Sequence, residues 1–273
     1  MTSGIYIESI GLVGPGLPDW PHAAGVLAGR TAYVPARTAP PPAAGLPPAE
    51  RRRSSAAVKI ALAAGLEAVA ASGREVSTLA TVFSASSGDG HNFHAICETL
   101  ASDERQLSPT RFHNSVHNAP ASYWSIATRS MTPSNVLCAY DGSFAAGLFE
   151  SACQVVADRV PTLLIVYDTD YPEPLHAVRP IDDGFGLAMV LSPDAGLTAI
   201  ARIDVRLTDA PPTLLASAKL DALRRGNPAA RALPLLEALA VRRATNVVLD
   251  YLPDTRMQVG IAFSDNFSAK AGR

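Results

Sequence analysis

"NVLCAYDGSFAAGLFESACQVV" (residues 135–156) opens as an apolar run ending at Cys138, turns at Asp141-Gly142, and continues as a helix of small and apolar residues. Strand, sharp turn and helix is the order in which several enzyme families hold a nucleophile. A helix N-terminus just beyond the turn lowers a thiol pKa, and a base must then stand nearby. The histidines are His22, His91, His94, His113, His117 and His176, and only His176 follows Cys138. A papain-like order of Cys, His and Asn is therefore poorly matched, and a small thiol buried at a strand end competes with the nucleophile reading. Ser143 lies in Gly142-Ser143-Phe144-Ala145-Ala146-Gly147, which is not the Gly-x-Ser-x-Gly spacing of a serine elbow. A helix N-cap suits Ser143 or Asp141 better.

Upstream, residues 4–13 read as a strand closed by "GLVGPG". Prolines 35, 40, 41, 42, 47 and 48 make residues 33–50 an extended surface loop. "ERRRSS" opens a helix whose Val58, Leu62, Leu66 and Val69 share one face. Then come a strand with a Gly-rich loop ("TLATVFSASSGDG"), a helix ("NFHAICETLASD"), a loop ("RQLSPTRFHNSVHNAP") and a short helix ("ASYWSIATRS"). Downstream, "PTLLIVYDTDYP" is apolar throughout and reads as a central strand. "GFGLAMVLSP" and "LTAIARIDVRLTD" read as a hairpin joined by a Pro193–Gly196 turn. Past residue 208 only one helix, "ALPLLEALAVRR", and two candidate strands, "TNVVLDY" and "RMQVGIAF", can be placed. Strands alternating with helices, then a run of strands, predict an α/β domain with a five-stranded mixed sheet and helices on both faces. Residues 1–208 form that domain, and 209–273 a small α+β extension packed on it.

Composition excludes several classes. A net charge of −2 gives no global attraction to nucleic acid. The longest apolar run, "TLLIVY", is too short to span a membrane, and "MTSGIYIESIGLVG" lacks the basic start of a signal peptide. Cysteines 97, 138 and 153 have no metal-ligand spacing, and a cytoplasmic, reduced protein is expected.

The remaining motifs are weak. Gly11, Gly14 and Gly16 resemble a dinucleotide loop, but Pro15 interrupts them and "LPDWP" follows, so a tight turn is the better reading and no cofactor is expected. His113 and His117, four apart, suit a metal only on a helix; Pro109 and Pro120 bracket them and no carboxylate lies between, so no metal is expected. "VFSASSGDG" lacks the ending of a P-loop. Arg51–Arg53 suit a solvated helix start or a protein contact better than nucleic acid.

The order of the pieces is more specific. "LPPAERRRSSAAVKIALAAGLEAV", "TVFSASSGDG" and "RFHNSVHNAPASYWSIATRSMTPSNVLCAYDGSFAAGLFESA" together resemble the N-terminal half of a β-ketoacyl synthase of the thiolase fold. More narrowly, they resemble the chain-length-factor proteins of aryl polyene clusters. The resemblance covers about residues 4–208 and is strongest from Phe112 to Phe149. Active synthases of this family end the block Cys-x-x-Gly. Counting back three from Gly142 reaches Ala139, and Cys138 sits one position early, on the opposite face of a strand. The family's two catalytic histidines come later, in a second α/β half, and nothing after His176 is a histidine.

The resemblance therefore implies a thiolase-like half-fold without condensing chemistry. Its partner would be an active synthase subunit, and acyl carrier protein would be met only through that subunit. It implies an interface along Asn135, Val136, Leu137 and Cys138, running on to Ala139. The loop Phe112, His113, Asn114, Val116, His117 and Asn118 would approach the partner's acyl tunnel, with Phe112 or Trp124 capping it. Two other functions stay open: a truncated acyltransferase or hydrolase using Cys138 with His113 or His117, and a homodimeric binder of acyl chains or carrier protein.

Overall fold

The computed structural model describes residues 4–196 and 198–263. Its elements run β1 (Ile5–Val13), α1 (Trp20–Leu27), α2 (Pro48–Arg53), α3 (Ala56–Ser72), β2 (Ala80–Ser84), α4 (Gly90–Ala101), α5 (Pro109–His113), α6 (Ala119–Thr128) and β3 (Ser134–Leu137). They continue with α7 (Ser143–Ala157), β4 (Thr162–Asp168), α8 (Leu175–Val178), β5 (Phe185–Ser192), β6 (Ala201–Thr208), α9 (Ala218–Gly226), α10 (Leu233–Ala240), β7 (Thr245–Leu252) and β8 (Thr255–Ala262).

The sheet is mixed and eight-stranded, in the order β3-β2-β4-β5-β1-β6-β8-β7. Five strands were expected, and the sheet has eight. The expectation fell short because β6 continues the sheet on the far side of β1 and the tail beyond residue 208 adds β7 and β8, which pair antiparallel, with β8 joined to β6. The expected hairpin between residues 185–192 and 201–208 does not form. β1 lies between those strands, with Tyr6 opposite both Ser192 and Arg202. β5 has no free edge left for β6, since β4 occupies its other side.

β4 is buried along its whole length, as a continuous apolar strand between two helical layers must be. Leu164 and Val166 face the layer containing α1, α7 and α10. Leu163, Ile165 and Tyr167 face α3 and α6. α3 starts where the Ser55 hydroxyl caps the Val58 N–H and stops at Gly73, whose φ of +68° suits glycine. Ser54, in extended conformation, separates α3 from α2, so the "ERRRSS" region makes two helices rather than one. The buried face of α3 is Val58, Ala61, Leu62, Ala64, Gly65 and Ala68, whereas Leu66 is exposed. Small residues allow close approach to the sheet: a Cβ on Gly11 of β1 would lie 2.1 Å from the Ala64 carbonyl. The "GLVGPG" turn is likewise consumed by packing, with Glu67 of α3 accepting the Leu12 and Trp20 N–H groups at 2.8 Å each.

Candidate functional site

The site is the bend between β3 and α7. β3 is a terminal strand of the sheet, pairing parallel with β2. Pro133 and Leu137 give their carbonyls to β2. By the alternation of a parallel ladder, Ser134 and Val136 then turn their N–H and C=O outward, to an open edge. Tyr140 follows with φ of +51°, a left-handed conformation unusual outside glycine. Gly142 is required by space, because a Cβ there would lie 2.0 Å from the Tyr251 carbonyl of β7. Ser143 is not the N-cap. Gly142 holds that position without a side-chain bond, and Ser143 staples the bend instead. Its buried Oγ accepts the Ala139 N–H at 3.0 Å and lies 2.7 Å from the Tyr140 carbonyl and 3.0 Å from that of Ala85.

Ala139 lines a cavity of about 510 Å³ together with Tyr140, Arg231, Asp250, Tyr251 and Arg256. Cys138 is exposed, and its Sγ–H is donated to the Ser86 carbonyl at 2.9 Å, not to an imidazole. Each histidine near the chain's candidate chemistry is engaged elsewhere. His117 Nε2 lies 3.0 Å from the Leu137 carbonyl, and His113 stacks edge-on against Tyr123. His91 pairs with Asp170, and His94 with Glu98. His176 pairs with Asp182 and Glu173, and the hydrogen bond to Asp182 is the main reason its pKa is raised. Among the described residues, no group of three or more His, Cys, Asp or Glu is placed to hold a metal ion.

The other expected site residues divide by burial. Phe112 and Val116 are exposed at 66% and 51%. Asn114 is buried, donating to the Arg53 carbonyl and accepting from Tyr123. Asn118 precedes α6 as its cap residue, without a side-chain bond. Val136 and Leu137 are half-buried, each against a different face of the sheet. Trp124 lies in the core, edge-on to Phe83 and beside Gly65, with no exposed surface to offer a tunnel. His117 instead lines a second cavity, of about 380 Å³, with Ser87, Asp89, Phe93, Ser115 and Tyr171.

An ionic chain crosses the bend. Asp141 binds Arg179 at 2.9 Å and Arg231 at 3.0 Å; Arg231 reaches Asp250 at 3.5 Å, and Asp250 binds the buried Arg224 at 2.8 Å. The Arg179 guanidinium also lies over the Tyr140 ring, 3.7 Å from its centroid. Below, Asp168 ends β4 fully buried. Its Oδ1 accepts the Ser86 N–H and hydroxyl at 2.9 and 2.6 Å. Burial pushes its pKa up to about 7, against the opposing Ser86 bonds and the Arg179 charge. Of these residues the sequence singled out only Asp141, as a turn residue or helix N-cap, a position that Gly142 holds instead. The available signal was an aspartate closing the apolar run "TLLIVYD", where a carboxylate must be buried.

Residues 27–219 match the family described as beta-ketoacyl synthase, N-terminal domain. The chain belongs to that family. No curated protein matches it. Among solved structures, a ketosynthase (ApeO) in complex with its chain length factor (ApeC), from Xenorhabdus doucetiae, matches over 94% of this chain and 99% of the compared chain, at 20% identity and TM-score 0.73. The ishigamide ketosynthase/chain length factor matches over 94% and 99%, at 14% identity and TM-score 0.67. A beta-ketoacyl synthase from Burkholderia phymatum STM815 matches over 89% and 71%, at 14% identity and TM-score 0.57. At these identities the likeness is one of fold: a thiolase-like α/β sheet with helices on both faces.

Proposed function

We propose that this chain is the non-catalytic half of a two-chain β-ketoacyl synthase, a chain-length factor serving aryl polyene or related polyketide and fatty-acyl synthesis. The observation that carries this reading is the bend itself. Ala139 stands at the nucleophile position of the family pattern, and the neighbouring Cys138 gives its thiol hydrogen to Ser86 rather than to a base. A methyl group has no lone pair for thioester exchange, and a thiol without a base is a poor nucleophile at neutral pH. The fold shared with ketosynthase and chain-length-factor complexes supports the same reading.

In this account the open edge of β3 pairs with a strand of the synthase subunit, satisfying the outward groups of Ser134 and Val136. The exposed Phe112 and Val116 reach toward the synthase's acyl tunnel, where the Phe112 ring limits product length by excluded volume. Residues 1–208 carry the ketosynthase-like unit and 209–273 an extension, whose described residues, 209–263, continue its sheet and cover the bend. The complex works in the cytoplasm and meets acyl carrier protein through the synthase.

The test is to purify the tagged chain with a β-ketoacyl synthase subunit from the same cell and supply acyl and malonyl carrier-protein thioesters. A co-eluting pair that elongates, with longer products after Phe112→Ala, is expected. Absence of any synthase subunit from the purified complex contradicts the reading.

A further inference from the structure

The open edge carries an uncompensated charge. Asn135 is exposed on β3 and donates its side-chain amide to Glu150 Oε1 at 2.8 Å; Gln154 donates to the same oxygen at 3.0 Å. Glu150 therefore leans from α7 over the terminal strand. Among the described residues, no Lys, Arg or His forms an ion pair with it, whereas Asp141, Asp250 and Asp221 each bind at least two arginines. Next to it on α7 the Phe149 side chain is exposed. Cys153 lies close enough that burial and the Glu150 charge together push its thiol pKa up.

We infer that Glu150 selects the partner of this edge, admitting a different chain that brings a lysine or arginine against it and rejecting a second copy of this one. The inference rests on the proposed pairing of β3 with another subunit. A strand added to β3 covers Asn135 and the carboxylate leaning on it, and a carboxylate desolvated without a counter-ion is costly. A second copy, paired antiparallel on so short a strand, brings its own Glu150 to within about 10 Å, from the spacing and rise of strands. That is about one Debye length at physiological salt, and a half-buried seam screens less than open water. Two like charges are then opposed where the edge would otherwise be self-complementary. A cation from another chain turns the same carboxylate into an attraction, which is how charge sets partner choice at interfaces.

A charge swap tests this without knowing the natural partner. Wild-type chain, Glu150→Lys and their equimolar mixture are compared by sedimentation equilibrium at low and high salt. The mixture should form a 1:1 dimer about tenfold tighter than either protein with itself, and high salt should erase the gain. Glu150→Gln alone should self-associate more tightly than wild type. A mixture no tighter than its components overturns the inference. The same mixture with Val136→Pro in both chains separates the two claims, because the proline removes an outward N–H of the edge. Loss of the gain supports pairing through β3. A gain that survives the proline means that Glu150 acts at another surface, and the β3 reading fails. No gain from the swap, with wild-type self-association that the proline abolishes, keeps the edge and removes Glu150 from partner choice.

Discussion

The two ends of the sheet are finished differently. On β7, Val248 would present its N–H and C=O to solvent, but Thr213 takes both: its Oγ1 accepts the Val248 N–H and its N–H donates to the Val248 carbonyl, each at 2.9 Å. On β3, no such cover for Val136 is found among the described residues. An open edge invites pairing with other chains, and proteins usually blunt it. One edge is thus capped at Val248 by Thr213 of the "PPTLL" segment and the other is left bare, as the proposed pairing of β3 with another chain requires. The sealed end also holds the bend in place, because Tyr251 of β7 rests on Gly142 and the Asp250–Arg231–Asp141 chain ties the two regions.

The sharpest test of this contrast is the same substitution at both edges. Val248→Pro removes a bonded N–H and should cost about 3 kcal/mol of folding stability, seen as a lower urea midpoint. Val136→Pro removes an N–H that bonds nothing among the described residues, so it should cost at most about 1 kcal/mol while abolishing association through the edge. Equal costs at the two sites would erase the distinction. Gly142→Ala tests the link between the two ends. Its Cβ meets backbone rather than a movable side chain, so a loss of about 2 to 3 kcal/mol is expected in the same titration.

Asp168 lies under that link and gives a pH signature. Its pKa is about 7 in the folded chain, above the ordinary 3.8, so the folded state keeps a proton that the unfolded chain has lost. This group's contribution is therefore fully present below pH 4 and is lost as pH rises through 7. Asp168→Asn, which can still accept the Ser86 bonds, should flatten that decline and be more stable than wild type at pH 8, on the order of 2 kcal/mol. A variant less stable than wild type at every pH would show that the charged form is the one the fold needs. A small effect also belongs to Thr213→Val, which leaves the Val248 N–H uncapped at a cost of about 1 kcal/mol. No change would mean that water replaces the cap.

Much of this was legible in the sequence. The run 135–156 gave strand, bend and helix because its apolar stretch, its Asp-Gly turn and its small-residue helix all act locally. β4 was legible because only a central strand tolerates seven buried residues in a row. The helical face of α3 was misjudged at Leu66, because the contact surface is made by Ala64, Gly65 and Ala68, whose small size carries little hydrophobic signal. The insertion of β1 between β5 and β6 is a long-range pairing that no local turn encodes. The ionic chain through Asp141 joins residues up to 90 apart in sequence, so no spacing announces it. Trp124 looked like a tunnel cap only while its burial beneath α3 was unknown.

In the proposed function the bend keeps the architecture of a nucleophile without its chemistry. The direct measurement is elongation of an acyl thioester by the purified chain alone, supplied with acyl and malonyl carrier proteins across neutral pH. No ketoacyl product is expected, and no change on Cys138→Ala. Product formed by the chain alone and abolished by Cys138→Ala would contradict it.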